Sequence, residues 1–335
     1  MEHIMLKTLK FWLENARWVA LPQSLMPALT AVVLASGEAD FSVAGAIPAV
    51  IGVCAAHLSL NLFDDYFDYK KNKPGIRDTL ARAGFRARIG KCAYIVSGEA
   101  TTRQLLAASL AFGSVAGLCG VVIFAYRGTP VLWIVLITVI LGLFYSAEPL
   151  RLSYRGMGEL TIGLIFGPLL VTGVFLSASG AFDWSAVLIG AALGFFVINI
   201  LYTHSSLDLD ADRSVGKRTL AGLVPTPEGR FRISFILILV PYVIILTGIL
   251  GGLLSAWHLL SLLTLPLAAA LVRSMLAFCR APGRSAVRRP WYGPMPQWEE
   301  IVRDGIDWFM LRWYLARNLL AAFCVLTMLA ALLTV

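Results

Sequence analysis

Charge is missing from eight long stretches of this 335-residue chain: residues 18–37, 41–63, 104–126, 128–147, 160–182, 184–207, 233–272 and 318–335. Seven of them hold 18 to 24 residues, enough for one helix each across a hydrocarbon layer about 30 Å thick. The 40-residue stretch 233–272 is broken by Gly251, Gly252 and Ser255, a grouping that predicts two helices joined by a tight turn. The pattern therefore predicts an all-α integral membrane protein with nine membrane-spanning helices. The apolar runs are continuous, whereas barrel strands would alternate over ~10 residues.

Composition adds direction to these spans. Apolar residues make up 58% of the chain and charged residues 14%, against about 25% charged in soluble domains, and the mean hydropathy is +0.77. The net charge of +8 reflects membrane orientation and not nucleic-acid binding: 27 of the 28 Lys and Arg lie on one side of the predicted spans, with Arg127 alone opposite. By the positive-inside rule that side is cytoplasmic, with the N-terminus inside and the C-terminus outside. Residues 1–17 then form a cytoplasmic interfacial segment of a single domain, and residues 64–103, 208–232 and 280–309 form long cytoplasmic loops. A signal-like Ala35-Ser36 follows the first span, but Pro22 and Pro27 suit a packed helix, so the span is expected to be retained. Five cysteines without CxxC spacing imply neither a disulfide framework nor a zinc site. Trp291, Tyr292, Trp298, Ile301, Val302, Ile306, Trp308 and Phe309 recur at roughly helical spacing. They read as an interfacial amphipathic helix or as a lid over a lipid-accessible site.

Aspartate is costly beside hydrocarbon, so clusters of it at helix ends call for a function. Span two ends in Asn61, Asp64, Asp65 and Asp68, which share one helix face. Span six ends in His204, Asp208 and Asp212, spaced by four, with Asp210 turned aside. Each cluster alone could be a solvated helix end. Two of them four spans apart are what a parallel repeat of a four-helix unit produces, with both clusters facing one central cavity. Oxygen-rich acidic faces suit Mg²⁺, which keeps coordination positions open for phosphate oxygens, while neighbouring Lys and Arg would complete a diphosphate site. A diphosphate site at the mouth of an apolar bundle suits a polyprenyl diphosphate, whose leaving group the metal would neutralise.

The run Asn61-Leu62-Phe63-Asp64-Asp65-Tyr66-Phe67-Asp68-Tyr69 resembles the first Asp-rich motif of the UbiA superfamily of intramembrane prenyltransferases. The second such motif is matched by Asp208-Leu209-Asp210-Ala211-Asp212-Arg213-Ser214-Val215-Gly216-Lys217-Arg218-Thr219-Leu220. Tyr145-Ser146-Ala147-Glu148-Pro149-Leu150-Arg151-Leu152, Gly156-Met157-Gly158-Glu159-Leu160 and Phe166-Gly167-Pro168 are similar to its 1,4-dihydroxy-2-naphthoate polyprenyltransferase branch. The resemblance covers about residues 15 to 275. It implies a nine-helix bundle and Mg²⁺-dependent transfer of a prenyl chain from its diphosphate to an aromatic acceptor, as in menaquinone synthesis. It further implies metal-diphosphate clusters of Asp64, Asp65 and Asp68 and of Asp208 and Asp212. Lys217, Arg218, Arg151 and Lys91 are the candidate diphosphate contacts, with Asn61 beside them.

Departures from the branch bear on the acceptor. His204-Ser205-Ser206-Leu207-Asp208 replaces the usual Asn-Asn-Ile-Arg-Asp run, position 64 is Asp where Asn is usual, and Asn72 stands where some relatives carry Asp. His204 is open as a metal ligand, as the base that takes the acceptor's proton, or as a hydrogen-bonded helix-end residue. His57 is expected to be packed. Tyr145, Tyr66, Tyr69 and Tyr202 are aromatic candidates for contact with a prenyl cation. Other acceptors stay open at this stage: haem, a chlorophyll precursor, an ether lipid or a sugar phosphate. The non-enzymatic rivals are a transporter, which would carry its ionisable residues near the midplane, and a degenerate scaffold, which would have lost carboxylates.

Overall fold

The computed structural model describes residues 2–71, 92–214, 216–282 and 287–334. Among the described residues there are helices and no strands: α1 (Glu2–Asn15), α2 (Pro22–Ala35), α3 (Val43–Lys71), α4 (Ala93–Val96), α5 (Thr102–Arg127), α6 (Thr129–Ser146), α7 (Gly158–Ser179), α8 (Trp184–Leu207), α9 (Leu209–Ser214), α10 (Pro227–Leu250), α11 (Leu265–Arg280), α12 (Trp298–Arg303) and α13 (Asp307–Leu332). A 3₁₀ turn, Ala256–Thr264, leads directly into α11. Eight of these helical runs are long and apolar enough to cross a bilayer. The first expected span is instead α2, 14 residues and about 21 Å long. It is shortened because Arg17 takes a left-handed conformation, φ 60°, ahead of the 3₁₀ turn Trp18–Ala20. Among the described residues the architecture is therefore a multi-pass bundle of eight full-length spans with one short apolar helix.

Local sequence accounts for the boundaries. Thr101 and Gln104 form a reciprocal capping box that starts α5. Thr226 caps α10 ahead of Pro227, in the first turn where proline's missing N–H costs nothing. The expected turn between α10 and the next run is made at Gly252, whose φ of +72° suits a residue without Cβ. α7 kinks at Ile165–Leu169 through a single π turn containing Pro168, two of the recognised causes of a bent helix.

α3 lies chiefly on α5, whereas α8 lies chiefly on the kinked α7 and next on α10; α2 meets both α3 and α7; α13 closes the ring by packing on α11, α8 and α2. Outward faces remain apolar: Leu118 on α5 is 68% exposed and Trp133 on α6 59%, the pattern of lipid-facing surface.

The crossing of α7 and α8 depends on glycine. A Cβ at Gly194 would stand 2.6 Å from the Gly163 carbonyl oxygen, and one at Gly167 would stand 2.5 Å from Gly194 Cα. Gly194→Leu is expected to abolish recovery of monodisperse protein by size-exclusion chromatography. Gly120→Leu, on α5 with open space around the added Cβ, is expected to elute as the parent does.

Candidate active site

The first acidic group sits on the last two turns of α3. The helix runs on to Lys71, past the point at which the charge pattern predicted a loop, because its carboxylates find partners there. Asp65 and Asp68 are buried, at 2% and 3% exposure. Arg17 makes an ion pair with Asp65, and its Nη1 lies 3.9 Å from Asp64 Oδ2. The Tyr94 hydroxyl donates to Asp65 Oδ2 at 3.2 Å, and the Cys92 thiol donates to the Asp65 carbonyl at 3.4 Å. Asp64 accepts from Ser146 Oγ at 2.5 Å, and Asp68 accepts from the Tyr154 hydroxyl at 2.7 Å. Asn61, expected beside the diphosphate, donates to the Ala16 carbonyl at 2.9 Å and so holds the segment that carries Arg17.

Electrostatics follow the same pairing. Burial works against the charge on Arg17, but Asp65 and Asp64 outweigh it and hold the guanidinium above its ordinary value. Burial pushes the Tyr94 hydroxyl up, and the neighbouring Asp65 carboxylate adds to the shift. Both groups therefore stay protonated at neutral pH and keep donating to Asp65.

The second group spans the α8–α9 junction. Asp208 ends α8 and Asp212 lies on α9, both buried at 2% and 3% exposure, while Asp210 is exposed. His204 is half-buried and sets its ring edge-on to Phe309, centroids 5.2 Å apart. The Lys217 backbone N–H donates to the Asp212 carbonyl at 2.9 Å, which folds the basic segment back onto the cluster. Lys217 is half-buried and Arg218 exposed. Arg151 lies over the Tyr154 ring, 3.8 Å from its centroid, and so stands behind the hydroxyl that binds Asp68. Lys91 and Asn72 lie outside the described residues.

Tyr145, at the end of α6, brings the two groups together: it lies within electrostatic reach of Asp64, Asp68, Asp212 and Glu159. Glu159 is a buried organiser that the sequence reading did not single out. Its Oε1 accepts from Ser205 Oγ at 2.8 Å, and its two oxygens accept the Leu220 N–H at 3.1 Å each. Arg17, Tyr94, Ser146 and Tyr154 were equally unmarked. A motif reading could have found Ser146, which follows Tyr145 in a quoted run, but Arg17 looks like any basic residue ahead of a span. His57 is packed as expected, 4% exposed, with Nδ1 2.7 Å from Ser24 Oγ.

The donor set, oxygen-only and almost wholly buried, fits a hard divalent cation in its chemistry. Among the described residues, no three His, Cys, Asp or Glu groups already stand in metal-binding array. In this arrangement Asp64 and Asp65 are turned to Arg17 and Asp68 to Tyr154.

Residues 24–291 match the UbiA prenyltransferase family. The chain is 30% identical over 218 residues to 1,4-dihydroxy-2-naphthoate octaprenyltransferase of Mycobacterium tuberculosis, covering 62% of this chain and 69% of that protein. A shorter match, 38% identical over 82 residues, is to UbiA prenyltransferase domain-containing protein 1 of Dictyostelium discoideum and spans 24% of this chain and 25% of that one. Its fold is that of a UbiA homologue from Archaeoglobus fulgidus solved with GPP and Mg²⁺, with a TM-score of 0.57, 15% identity, and coverage of 95% of this chain and 99% of that one.

Proposed function

The chain belongs to the UbiA prenyltransferase family, and from that membership we propose that it transfers a polyprenyl group from its diphosphate to an aromatic acceptor of the 1,4-dihydroxy-2-naphthoate type. The observation that supports this reading is that carboxylates of both acidic groups, Asp64 and Asp68 from one and Asp212 from the other, lie within electrostatic reach of Tyr145. Asp64, Asp65, Asp68, Asp208 and Asp212 would hold Mg²⁺, which would supply positive charge to the departing diphosphate. Arg151, Lys217 and Arg218 hold the diphosphate oxygens; Arg151, Arg155 and Tyr154 edge an open cavity of about 440 Å³ that also touches Gly216. The allylic C–O bond breaks with its electron pair going to the diphosphate. A ring carbon of the acceptor forms the new C–C bond and gives up its proton to His204. Tyr145 faces the prenyl cation, and the surrounding apolar bundle keeps water from it. The acidic ends and the long basic loops lie on the cytoplasmic face, as the positive-inside distribution argues.

A lipid-reconstituted preparation given geranylgeranyl diphosphate, Mg²⁺ and 1,4-dihydroxy-2-naphthoate is expected to form prenylated naphthoate, read by mass spectrometry. The product should vanish with EDTA. Diphosphate release without that product would move the acceptor to another class, and neither release nor product would overturn the proposed reaction.

A further inference from the structure

We infer that the acceptor binds as a planar aromatic hydroxy acid in the cavity between the end of α8 and helices α9, α10, α11 and α13. This assignment rests on the proposed reaction and deepens it. The cavity holds about 370 Å³, within the ~300–1,000 Å³ of small-molecule sites. Of the five clustered carboxylates only Asp208 lines it. A ligand here therefore reaches the second acidic group and leaves the first to the diphosphate.

The walls match that ligand group by group. Phe278 and Trp308 both line the cavity, and their ring planes lie within 4° of parallel, centroids 5.8 Å apart. Arg312 is buried behind them with its guanidinium 5.2 Å from the Phe278 ring centroid. Its Nε donates to the Ser274 carbonyl at 3.0 Å and its Nη1 donates to the Trp308 carbonyl. These bonds hold the two aromatic planes rigid, so a flat ring meets a preformed apolar surface. Arg230 and Arg213 stand at the edge. Arg230 is steadied by Nη1 bonds to the Val224 and Pro225 carbonyls, at 2.9 and 3.2 Å, and a planar guanidinium suits a carboxylate. Asp210 and Ser206 supply the oxygens that would accept from phenolic hydroxyls. One and two turns deeper on the same face of α8, Thr203 and Asn199 are fully buried. The Thr203 hydroxyl and both amide atoms of Asn199 make no hydrogen bond among the described residues. Buried polar groups rarely go unmatched, and these two share a helix face with Ser206, which lines the cavity.

Two variants test the assignment. Arg230→Gln removes the carboxylate partner, and Cys279→Trp fills the cavity from α11, where Cys279 is part of the lining. Arg230→Gln should raise the KM for 1,4-dihydroxy-2-naphthoate at least tenfold while leaving the KM for geranylgeranyl diphosphate unchanged. It should also erase the wild-type preference for this acid over naphthalene-1,4-diol. Cys279→Trp should abolish equilibrium binding of labelled 1,4-dihydroxy-2-naphthoate, with retained diphosphate binding reporting that the protein is folded. Because Arg230 also braces its loop, Arg213→Gln, at an exposed position, serves as a second carboxylate-partner variant and should lower the acid-over-diol preference. Wild-type turnover with acceptor KM and binding unmoved in all three would overturn the pocket and leave the reaction standing. Wild-type protein that prenylates neither naphthoate nor diol overturns the reaction, and the pocket falls with it.

Discussion

Asp212→Asn is expected to cut prenyl transfer at least ~100-fold, the scale of losing one preorganised electrostatic partner, while the protein stays folded in the bilayer. The exchange keeps shape and removes charge at a residue 3% exposed. The backbone bonds that organise α9, from the Asp212 N–H to the Asp208 carbonyl and from the Lys217 N–H to the Asp212 carbonyl, do not involve the altered group. Turnover by mass spectrometry and the thermal midpoint together check the claim. Activity within tenfold of the parent would remove Asp212 from the metal-diphosphate assignment. Asp65→Asn should be equally inactive but also less stable, because Arg17 and Tyr94 both bond its carboxylate. The difference between the two midpoints measures how much the fold draws on the bonds that Arg17 and Tyr94 make to Asp65.

What could be read from the chain alone was whatever repeats at short range. The spans follow from charge-free runs, and the acidic faces follow from three- and four-residue spacing, because both are properties of one helix. The partners of those faces are not. Ser146 reaches Asp64 across 82 residues, Tyr154 reaches Asp68 across 86, and Leu220 reaches Glu159 across 61. No spacing rule links such pairs; the ring of helices does. The same limit explains two of the places where pattern and structure part. Residues 64–71 carry charge and so look like loop, yet partners from distant segments keep them helical. Residues 18–37 are free of charge and long enough for a span, yet the left-handed backbone at Arg17 and the turn after it shorten the helix to Pro22–Ala35. Charge bookkeeping also hid Arg17 itself, since the positive-inside rule explains every basic residue on that side equally well.

Arg17→Met is expected to make stability depend on metal. The substitution keeps an unbranched apolar stem but removes the cation bonded to Asp65 and facing Asp64. Breaking a fully buried pair costs about 3–5 kcal/mol. Arg17 keeps 37% of its side chain exposed, and solvent screening lowers the figure to roughly 2 kcal/mol. In EDTA the variant should therefore melt several degrees below the parent. A divalent cation bound by Asp64 and Asp65 shares their oxygens with Arg17, so the two compete. Added Mg²⁺ without substrate should then raise the variant's midpoint more than the parent's and act at a lower concentration. A variant destabilised equally in EDTA and in Mg²⁺ would show that Arg17 is structural and that the metal does not draw on its carboxylates. A variant needing more Mg²⁺ than the parent would reverse the argument, making Arg17 a residue that holds Asp64 and Asp65 ready for the ion instead of one that stands in for it.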